Sequence, residues 1–296
     1  MRRLVICNPR ARRIRGRPAV DWVAARLREA GLETEVVAPE DRAGTEQAAR
    51  EAAAQGYDQV VAAGGDGTIN AVASGLAYSD VPLGVLPLGT GNVLAHNLGV
   101  ATLPAALAAL RGGRRLQVDL GWISDRYFVA LAGVGFDALV VQRVAADWQH
   151  VLGRHAFVLE GLIGRCLNEP HQFRLVSEGQ EPFRYEGPAW SALVCNCPGF
   201  TWDLPLARRA EMSDGELDLI LFRHVAAWQF FARLGERLLT VAQVGDLPGV
   251  TCHRLTNLEV EVRPDWGWEV DGEWGGATPA RLEVRPQALA VVAAAN

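Results

Sequence analysis

The chain has 296 residues, a formal net charge of −5 and 49% hydrophobic residues. This length predicts one large domain or two ordinary ones, and the composition is that of a globular protein. All 29 basic residues are arginine, because the sequence contains no lysine. That excludes chemistry that needs a lysine amine, such as a Walker A phosphate loop or a Schiff base. Phosphate binding must therefore rely on arginine, backbone N–H groups, helix N-termini or a metal ion.

The sequence shows no sign of export or of a membrane span. Its five cysteines are odd in number and scattered, which is not the pattern of a disulfide framework. The chain lacks an apolar run of about 18 residues, and its N-terminal apolar run is too short for a signal peptide. These features predict a cytoplasmic protein, and the mild acidity argues against a nucleic-acid partner.

The first third of the chain alternates strand-like and helix-like segments. The predicted strands are 4–7, 35–38, 59–63 and 81–86, and the predicted helices include 18–30, 45–56, about 69–76 and 103–110. Thr45 is expected to cap the second of these helices. Strand and helix in this rhythm predict a parallel sheet with helices on its faces, that is, an α/β domain.

From about residue 116 onward, strand-like runs dominate the sequence. The predicted strands are 116–123, 127–131, 173–177, 189–195, 217–222, 258–262, 268–270 and 281–284, and the predicted helices are 136–148, 155–167 and 225–242. Many strands with few crossover helices predict an antiparallel or mixed β domain. The apolar end of the chain is expected to return to the first domain.

The segment Gly64-Gly65-Asp66-Gly67-Thr68 lies directly after a predicted strand and directly before a helix. Glycines let the backbone approach anionic oxygens, and a helix N-terminus supplies N–H donors and a partial positive charge. An aspartate suits this place if Mg²⁺ accompanies a phosphate, or if the carboxylate takes a proton during transfer. Taken alone, the motif also fits a glycine turn with an aspartate helix cap.

A second glycine-rich turn, PLGTGN at residues 87–92, follows the next predicted strand. Consecutive parallel strands end at the same edge of a sheet, and ligands bind at that edge. Asn8 and Pro9 end the first strand and should lie there as well. Three loops that converge at one edge predict a nucleotide site.

Six motifs follow one another along the chain: GGDGTINAV, PLGTGNVLA, VDLG, GVGFDALV, DGELDL and VDGE. In this combination the sequence resembles the soluble lipid kinases with a diacylglycerol-kinase catalytic domain, which include bacterial diacylglycerol kinases and sphingosine kinases. The resemblance implies an α/β ATP-binding domain (1–118, rejoined by 286–296) and a β-sandwich-like lipid-acceptor domain (119–285), with ATP in the cleft between them. It also implies Mg²⁺-dependent transfer of the γ-phosphoryl group of ATP to a lipid hydroxyl, on diacylglycerol or a related lipid.

The resemblance also assigns roles to individual residues. The nucleotide-binding set comprises Asn8, Pro9, Thr45, Gly64, Gly65, Asp66, Gly67, Thr68, Ile69, Asn70, Ala71, Gly89, Thr90, Gly91 and Asn92. Glu273 matches the proposed catalytic base, and Asp271 of the same motif and Asp66 are the other catalytic candidates. Asp214 matches an aspartate that holds a structural metal ion, with the neighbouring carbonyls of Glu211 and Glu216 as its assisting ligands.

Some segments depart from the family pattern. Members often read GND-x-AR where this chain reads GNVLAH at 91–96, so the acidic residue and the arginine are missing. The first loop carries five arginines within residues 10–17. They suit ATP phosphates, anionic lipid headgroups or simply a solvated surface. The segment 133–138 also fits a dinucleotide fingerprint, although the resemblance makes it part of the acceptor cleft.

Two other functions stay open from the sequence. One is an NAD kinase-like enzyme, because the GGDGT motif is shared with NAD kinases. The other is a catalytically silent regulator that binds a nucleotide or a lipid. The expected partners are ATP and a lipid acceptor, with peripheral contact at the inner face of the cytoplasmic membrane. The oligomeric state is left open, with a homodimer as one option.

Overall fold

The computed structural model describes residues 1–14, 16–147, 169–178, 182–201, 204, 205, 207, 210–223 and 249–295. The chain divides into two compact units. The α/β unit comprises Met1–Leu120 and Arg285–Asn296, and the β-rich unit comprises Gly121–Val284. The helices predicted at 155–167 and 225–242 lie outside the described residues. The described helices include none whose length and hydropathy would let it cross a bilayer.

Strands and helices alternate along the α/β unit. In chain order they are β1 (Arg3–Cys7), α1 (Ala19–Glu29), β2 (Glu35–Val37), α2 (Arg42–Ala54), β3 (Gln59–Gly64), α3 (Asp66–Leu76), β4 (Leu83–Pro87), α4 (Val93–Asn97), α5 (Leu103–Gly112) and β5 (Arg114–Ile123). β1 pairs with β2 and β3, and β3 pairs with β4, all in parallel. β3 and β4 are buried along their whole length and, apart from Gln59, carry no polar side chain, as is typical of central parallel strands. The predicted α/β fold is therefore confirmed.

Helix α3 begins earlier than the sequence pattern suggested. It starts at Asp66 rather than near Ile69, with Gly65 as its N-cap residue. The N–H of Ile69 already donates to the carbonyl of Gly65 at 3.0 Å. Most of the predicted phosphate turn is therefore the first turn of a helix.

The cap of helix α2 also differs from the prediction. Asp41, not Thr45, is the N-cap residue, and its carboxylate accepts the N–H of Gly44 at 2.7 Å. Thr45 lies one turn further on, where its hydroxyl donates to the carbonyl of Asp41 at 2.9 Å. Aspartate and threonine are both good caps, and here the aspartate comes first along the chain.

The β-rich unit consists mainly of antiparallel strands. Its elements are β6 (Arg126–Phe128), β7 (Leu131–Gly135), α6 (Phe136–Asp147), β8 (His171–Ser177), β9 (Phe183–Cys195), β10 (Gly199–Thr201), β11 (Leu204–Pro205), β12 (Leu217–Arg223), β13 (Val250–Leu255), β14 (Asn257–Arg263), β15 (Trp268–Val270), β16 (Glu273–Gly276) and β17 (Ala280–Ala293). β9 pairs with β7, β8 and β12, and β15 pairs with β7 and β16, all antiparallel. The core side chains include Phe128, Phe173, Leu219, Leu258 and Leu282.

The predicted strand 127–131 is wrong in its bounds. Two strands, β6 and β7, take its place, with two residues between them. The N–H groups of those two residues, Val129 and Ala130, donate to the carboxylate of Asp271 at 2.8 and 2.9 Å. A side chain that is distant in sequence therefore replaces the strand partner that these groups would otherwise need.

Candidate active site

The two glycine-rich turns of the α/β unit contact each other through their backbones. A Cβ atom added at Gly89 would lie 2.4 Å from the Cα of Gly65, closer than any tolerable contact. The N–H of Leu88 donates to the carbonyl of Gly64 at 2.8 Å, which fixes the approach. Glycine is required at this contact because only glycine lets two main chains come so close.

Asp66 ties the first turn to the second. Its two carboxylate oxygens accept the N–H groups of Asn92 at 2.8 Å and of Val93 at 2.6 Å. Those N–H groups open helix α4, so they have no partner within that helix. Gly91 leaves room for the carboxylate, because a Cβ atom there would lie 2.6 Å from Asp66 Oδ2. Asp66 thus caps a neighbouring helix from across the site.

Asn92 closes its own turn rather than facing outward. It has a positive φ of 53° and is 2% exposed. Its side-chain oxygen accepts the N–H of Gly89, and its side-chain nitrogen donates to the carbonyl of Gly89, both at 3.0 Å. Thr90 is the exposed residue of this turn. The hydroxyl of Thr90 is therefore the polar side chain that the second turn offers to a ligand.

The first loop joins the same site through Asn8. The side-chain nitrogen of Asn8 donates to the hydroxyl of Thr68 at 3.2 Å, and its side-chain oxygen accepts the N–H of Arg10 at 2.9 Å. Pro9 follows as an exposed residue. The structure therefore brings together the three loops that the sequence placed at one sheet edge.

Several residues of the predicted nucleotide set are buried within helices. Ile69, Asn70 and Ala71 are buried in helix α3, and Thr45 is buried in helix α2. The guanidinium of Arg42 donates to the side-chain oxygen of Asn70, so this asparagine links α2 to α3. These four side chains are buried within the α/β unit, and their contact with a nucleotide stays a prediction.

The arginine-rich loop lies beside the second turn. Its 3₁₀ helix, Arg12–Ile14, is anchored by the fully buried Ile14. Arg13 donates from its side chain to the carbonyl of Pro87 at 3.1 Å. Arg10 and Arg12 are exposed. The loop therefore adds positive charge to this sheet edge.

In the β-rich unit, the VDGE motif is a two-residue hairpin between β15 and β16. Asp271 and Gly272 have positive φ angles of 47° and 83°, which is the geometry of a type I′ turn with its favoured Asp-Gly pair. The Asp271 carboxylate also accepts the N–H of Leu131 at 3.1 Å, its third backbone donor. Asp271 therefore locks the hairpin onto the segment between β6 and β7.

Glu273 is the more accessible carboxylate of the motif. Its side chain is 42% exposed and forms an ion pair with Arg126 at 2.8 Å. Arg126 also donates to the carbonyl of Trp274 at 3.2 Å, so the guanidinium is fixed at two points. A carboxylate that is both oriented and accessible can accept a proton from an incoming hydroxyl group.

Sequence reasoning missed two acids behind this hairpin, Glu269 on β15 and Asp137 at the start of α6. Their carboxyl groups are hydrogen-bonded to each other. Burial, and then the nearby charge of Asp137, raise the pKa of Glu269 well above its usual range. Burial also raises the pKa of Asp137, against the opposite effect of its hydrogen bond to Glu269. A charged residue two positions before the Asp-Gly turn, in an otherwise apolar strand, was the available signal.

In the turn at Asp214, an arginine binds the carboxylate to which the resemblance assigns a structural metal ion. One carboxylate oxygen of Asp214 accepts the N–H of Glu216 at 3.1 Å, and the other binds Arg254 at 2.6 Å. Arg254 also contacts the carboxylates of Glu216 at 3.0 Å and Asp218 at 4.0 Å. Glu211 is exposed. A guanidinium already neutralises this acidic turn, so the metal assignment stays a prediction without structural support.

Comparison with known families agrees with the order of the motifs. Residues 2–123 match the diacylglycerol kinase catalytic domain, and residues 130–293 match the YegS C-terminal NAD kinase beta sandwich-like domain. The chain belongs to the lipid kinase family that carries these two domains in succession. It is therefore a lipid kinase, a phosphotransferase.

Individual relatives span nearly the whole chain. A diacylglycerol kinase of Bacillus subtilis is 29% identical over 283 residues, covering 94% of this chain and 91% of the relative. A diacylglycerol kinase of Mycobacterium tuberculosis is 30% identical over 282 residues, covering 93% and 89%. The crystal structure of a diacylglycerol kinase from Bacillus anthracis superposes with a TM-score of 0.77 at 20% identity, covering 99% of this chain and 96% of that one. At that identity the superposition supports the fold alone.

Proposed function

We propose that this lipid kinase transfers the γ-phosphoryl group of ATP, bound as its Mg²⁺ complex, to the hydroxyl group of diacylglycerol or a related lipid. The observation that carries the proposal is the pair of interlocked glycine turns at the carboxyl ends of β3 and β4. They hold the N-terminus of α3 and the exposed Thr90 at one sheet edge. That arrangement suits a polyphosphate, because helix N-termini bind anions.

On the donor side, the phosphate groups are bound by chain elements already described. The N-terminal N–H groups of α3 and the Thr90 hydroxyl donate to phosphate oxygens, and the exposed Arg10 and Arg12 add charge. Mg²⁺ would neutralise charge on the phosphates, and Asp66 is the carboxylate that would hold it. Its two oxygens accept the N–H groups of Asn92 and Val93, which fixes the carboxylate beside both glycine turns.

On the acceptor side, Glu273 is the base and Asp271 positions it. The lipid hydroxyl gives its proton to the Glu273 carboxylate while its oxygen attacks the γ-phosphorus. The bond between that phosphorus and the ADP oxygen breaks, and ADP leaves with the electron pair. Asp271 is a poor base because its oxygens already accept three backbone N–H groups.

Acceptor identity distinguishes this proposal from an NAD kinase-like enzyme and from a silent regulator. The purified protein is incubated with ATP and Mg²⁺ together with vesicles containing diacylglycerol, vesicles containing sphingosine, or NAD. We expect phosphorylated diacylglycerol, identified by mass, as the main product. Phosphorylation of NAD alone would support the first alternative. Nucleotide binding without turnover on any acceptor would support the second.

The role of Glu273 is tested by replacing it with glutamine. A general base contributes about 10²–10⁴-fold, so Glu273→Gln should lower turnover by that factor. ATP affinity, measured by titration, should stay near the wild-type value, because the variant removes no contact to the nucleotide. Glu283→Gln is the matched control, since Glu283 lies in the same unit and pairs with Arg281 at 2.8 Å. Wild-type turnover in Glu273→Gln would exclude Glu273 as the base.

A further inference from the structure

Two acids of the β-rich unit, the buried Glu269 and the partly buried Asp137, converge on a glycine of the GVGFDALV segment. A Cβ atom added at Gly133 would lie 2.1 Å from Asp137 Oδ2 and 2.7 Å from Glu269 Oε1. Glu269 is 1% exposed. The two carboxyl groups are hydrogen-bonded to each other. Gly133, in the middle of β7, therefore leaves the space in which an acid pair is enclosed.

The pair is joined directly to the hairpin that carries Glu273. The second oxygen of Glu269 accepts the N–H of Gly272 at 2.8 Å. Gly272 is the second left-handed residue of the turn, with φ of 83°, and directly precedes Glu273. The conformation of the turn therefore depends on where the Glu269 carboxyl group lies.

The surroundings of the pair are apolar or acidic. Asp271 in the turn and the Cys195 thiol on β9 are the other titratable groups close to it. On β16 the titratable group is Glu273, which is paired with Arg126, and β7 carries no titratable side chain. Among the side chains that the structure describes, none with a positive charge contacts Asp137 or Glu269, and the side chain of Arg143 in α6 lies outside them. If both of these neighbouring carboxyl groups were ionised, their negative charges would repel each other strongly, because little water is present to screen them.

We propose that Glu269 and Asp137 share one proton at neutral pH, and that this protonated pair positions the Asp271-Gly272 turn and, with it, Glu273. Glu269 holds the proton and donates it to the Asp137 carboxylate, while its carbonyl oxygen accepts the Gly272 N–H. Both acids are positioning residues, because neither is assigned a contact with substrate. The effect on turnover rests on the proposed function, whereas the shared proton does not.

The proposal has a definite sign in its pH dependence. Because the folded-state pKa of Glu269 is raised, the folded protein binds a proton that the unfolded chain releases. The contribution to stability is fully present below the ordinary carboxyl range and is lost as pH rises through the folded-state pKa. Loss of that proton leaves two like charges beneath the turn. Tm should therefore fall as pH rises from the ordinary carboxyl range toward the folded-state pKa of Glu269, and turnover should fall as pH passes through that pKa.

Glu269→Gln is the first test, because an amide can donate to Asp137 and accept from Gly272 without ever ionising. Tm is measured between about pH 6 and about pH 9, a range above the ordinary carboxyl pKa. We expect the wild type to lose more Tm over this range than Glu269→Gln. Glu269→Leu, which cannot accept the Gly272 N–H, should lower turnover in its own right, and Glu269→Gln should restore most of it. Glu283→Gln serves as the control and should follow the wild-type pH profile.

An infrared measurement locates the proton without any need for kinase activity. The wild type at neutral pH should show the carbonyl band of a protonated carboxylic acid, and Glu269→Gln should lack it. Asp137→Asn is the second variant, in case the first does not fold. It should move the loss of the band to lower pH, because the like charge of Asp137 is removed while the burial of Glu269 remains. A wild type without the band, or a band as strong in Glu269→Gln as in the wild type, would overturn the proposal. Absence of turnover on every lipid would instead count against the proposed function.

Discussion

Asp66 acts on two backbone N–H groups of the second glycine turn, which makes its carboxylate a structural link as well as a candidate metal ligand. Asp66→Asn puts an amide NH₂ group against the N–H of Asn92 or Val93, so one of these bonds is lost. Loss of a cap of this kind costs about 0.5–2 kcal/mol. We expect a similar loss in the free energy of unfolding, with weaker ATP binding and turnover reduced by orders of magnitude.

Asp41→Asn is the matched control for that variant. Asp41 caps helix α2 in the same unit through the N–H of Gly44 at 2.7 Å, and it takes no part in the two turns. Chemical unfolding and ATP titration are measured for both variants. The control should leave ATP affinity at the wild-type value. If Asp66→Asn also binds ATP normally, its carboxylate has no role in the donor site.

The motifs drew attention to Asp66 and Asp271, but they did not indicate which backbone N–H groups these carboxylates bind. Asp66 and Asp271 each directly precede a glycine in a turn-like motif of the sequence. Both carboxylates accept backbone N–H groups from segments that are distant along the chain. Glu269 escaped notice because its burial depends on the pairing of β15 with β7 and β16, which no local pattern shows. Local sequence specifies the turn, whereas tertiary hydrogen bonds decide what each carboxylate does.

At the scale of elements, the two glycine turns work as one unit because their main chains are in contact. Gly89→Ala places a Cβ atom 2.4 Å from the backbone of Gly65, so no side-chain rotation can relieve the clash. Overpacking of this kind costs about 1–3 kcal/mol. We expect lower stability together with weaker ATP binding, measured by thermal unfolding and by titration.

Gly112→Ala provides the comparison for that substitution. Gly112 ends helix α5, and a Cβ atom there would meet nothing within 4 Å. Alanine at an unstrained helical position is neutral or stabilising by about 0.4–1 kcal/mol. A Gly89→Ala protein as stable and as active as Gly112→Ala would show that the two turns can separate without cost.

Element boundaries followed from the sequence wherever hydrophobic period and turn residues agreed, as they do along β3 and β15. They failed where distant groups intervened. Helix α3 extends back to Asp66, and the segment 127–131 divides because Asp271 takes two of its N–H groups. Periodicity records which face of an element is buried, but it does not record hydrogen bonds from elsewhere in the chain.

At the scale of the whole molecule, the switch from alternating strand and helix to repeated strands predicted the fold class. Hydrophobic periodicity and the order of strands and helices are read over long segments of the sequence. An error of a few residues in the bounds of one element therefore does not change the predicted fold class. The absence of lysine is also a whole-chain property, and its consequence is visible at Asp214. There an arginine contacts three carboxylates, and their mutual repulsion would otherwise act against folding.

Measurements of thermal stability test whether Arg254 or a metal ion neutralises the negative charge of the turn at Asp214. Arg254 is 39% exposed, so solvent screens its ion pairs and each contributes about 0–1 kcal/mol. Without nucleotide, a chelator should leave the wild-type Tm unchanged. Arg254→Gln should lower Tm by about 2–4 °C, as a loss near 1 kcal/mol does in a chain of this size, and added Mg²⁺ or Ca²⁺ should recover part of the loss. Arg281→Gln, which removes a more exposed pair with Glu283, should show neither effect. A wild-type Tm that falls on chelation would instead assign a structural metal ion to Asp214, as the family resemblance implied.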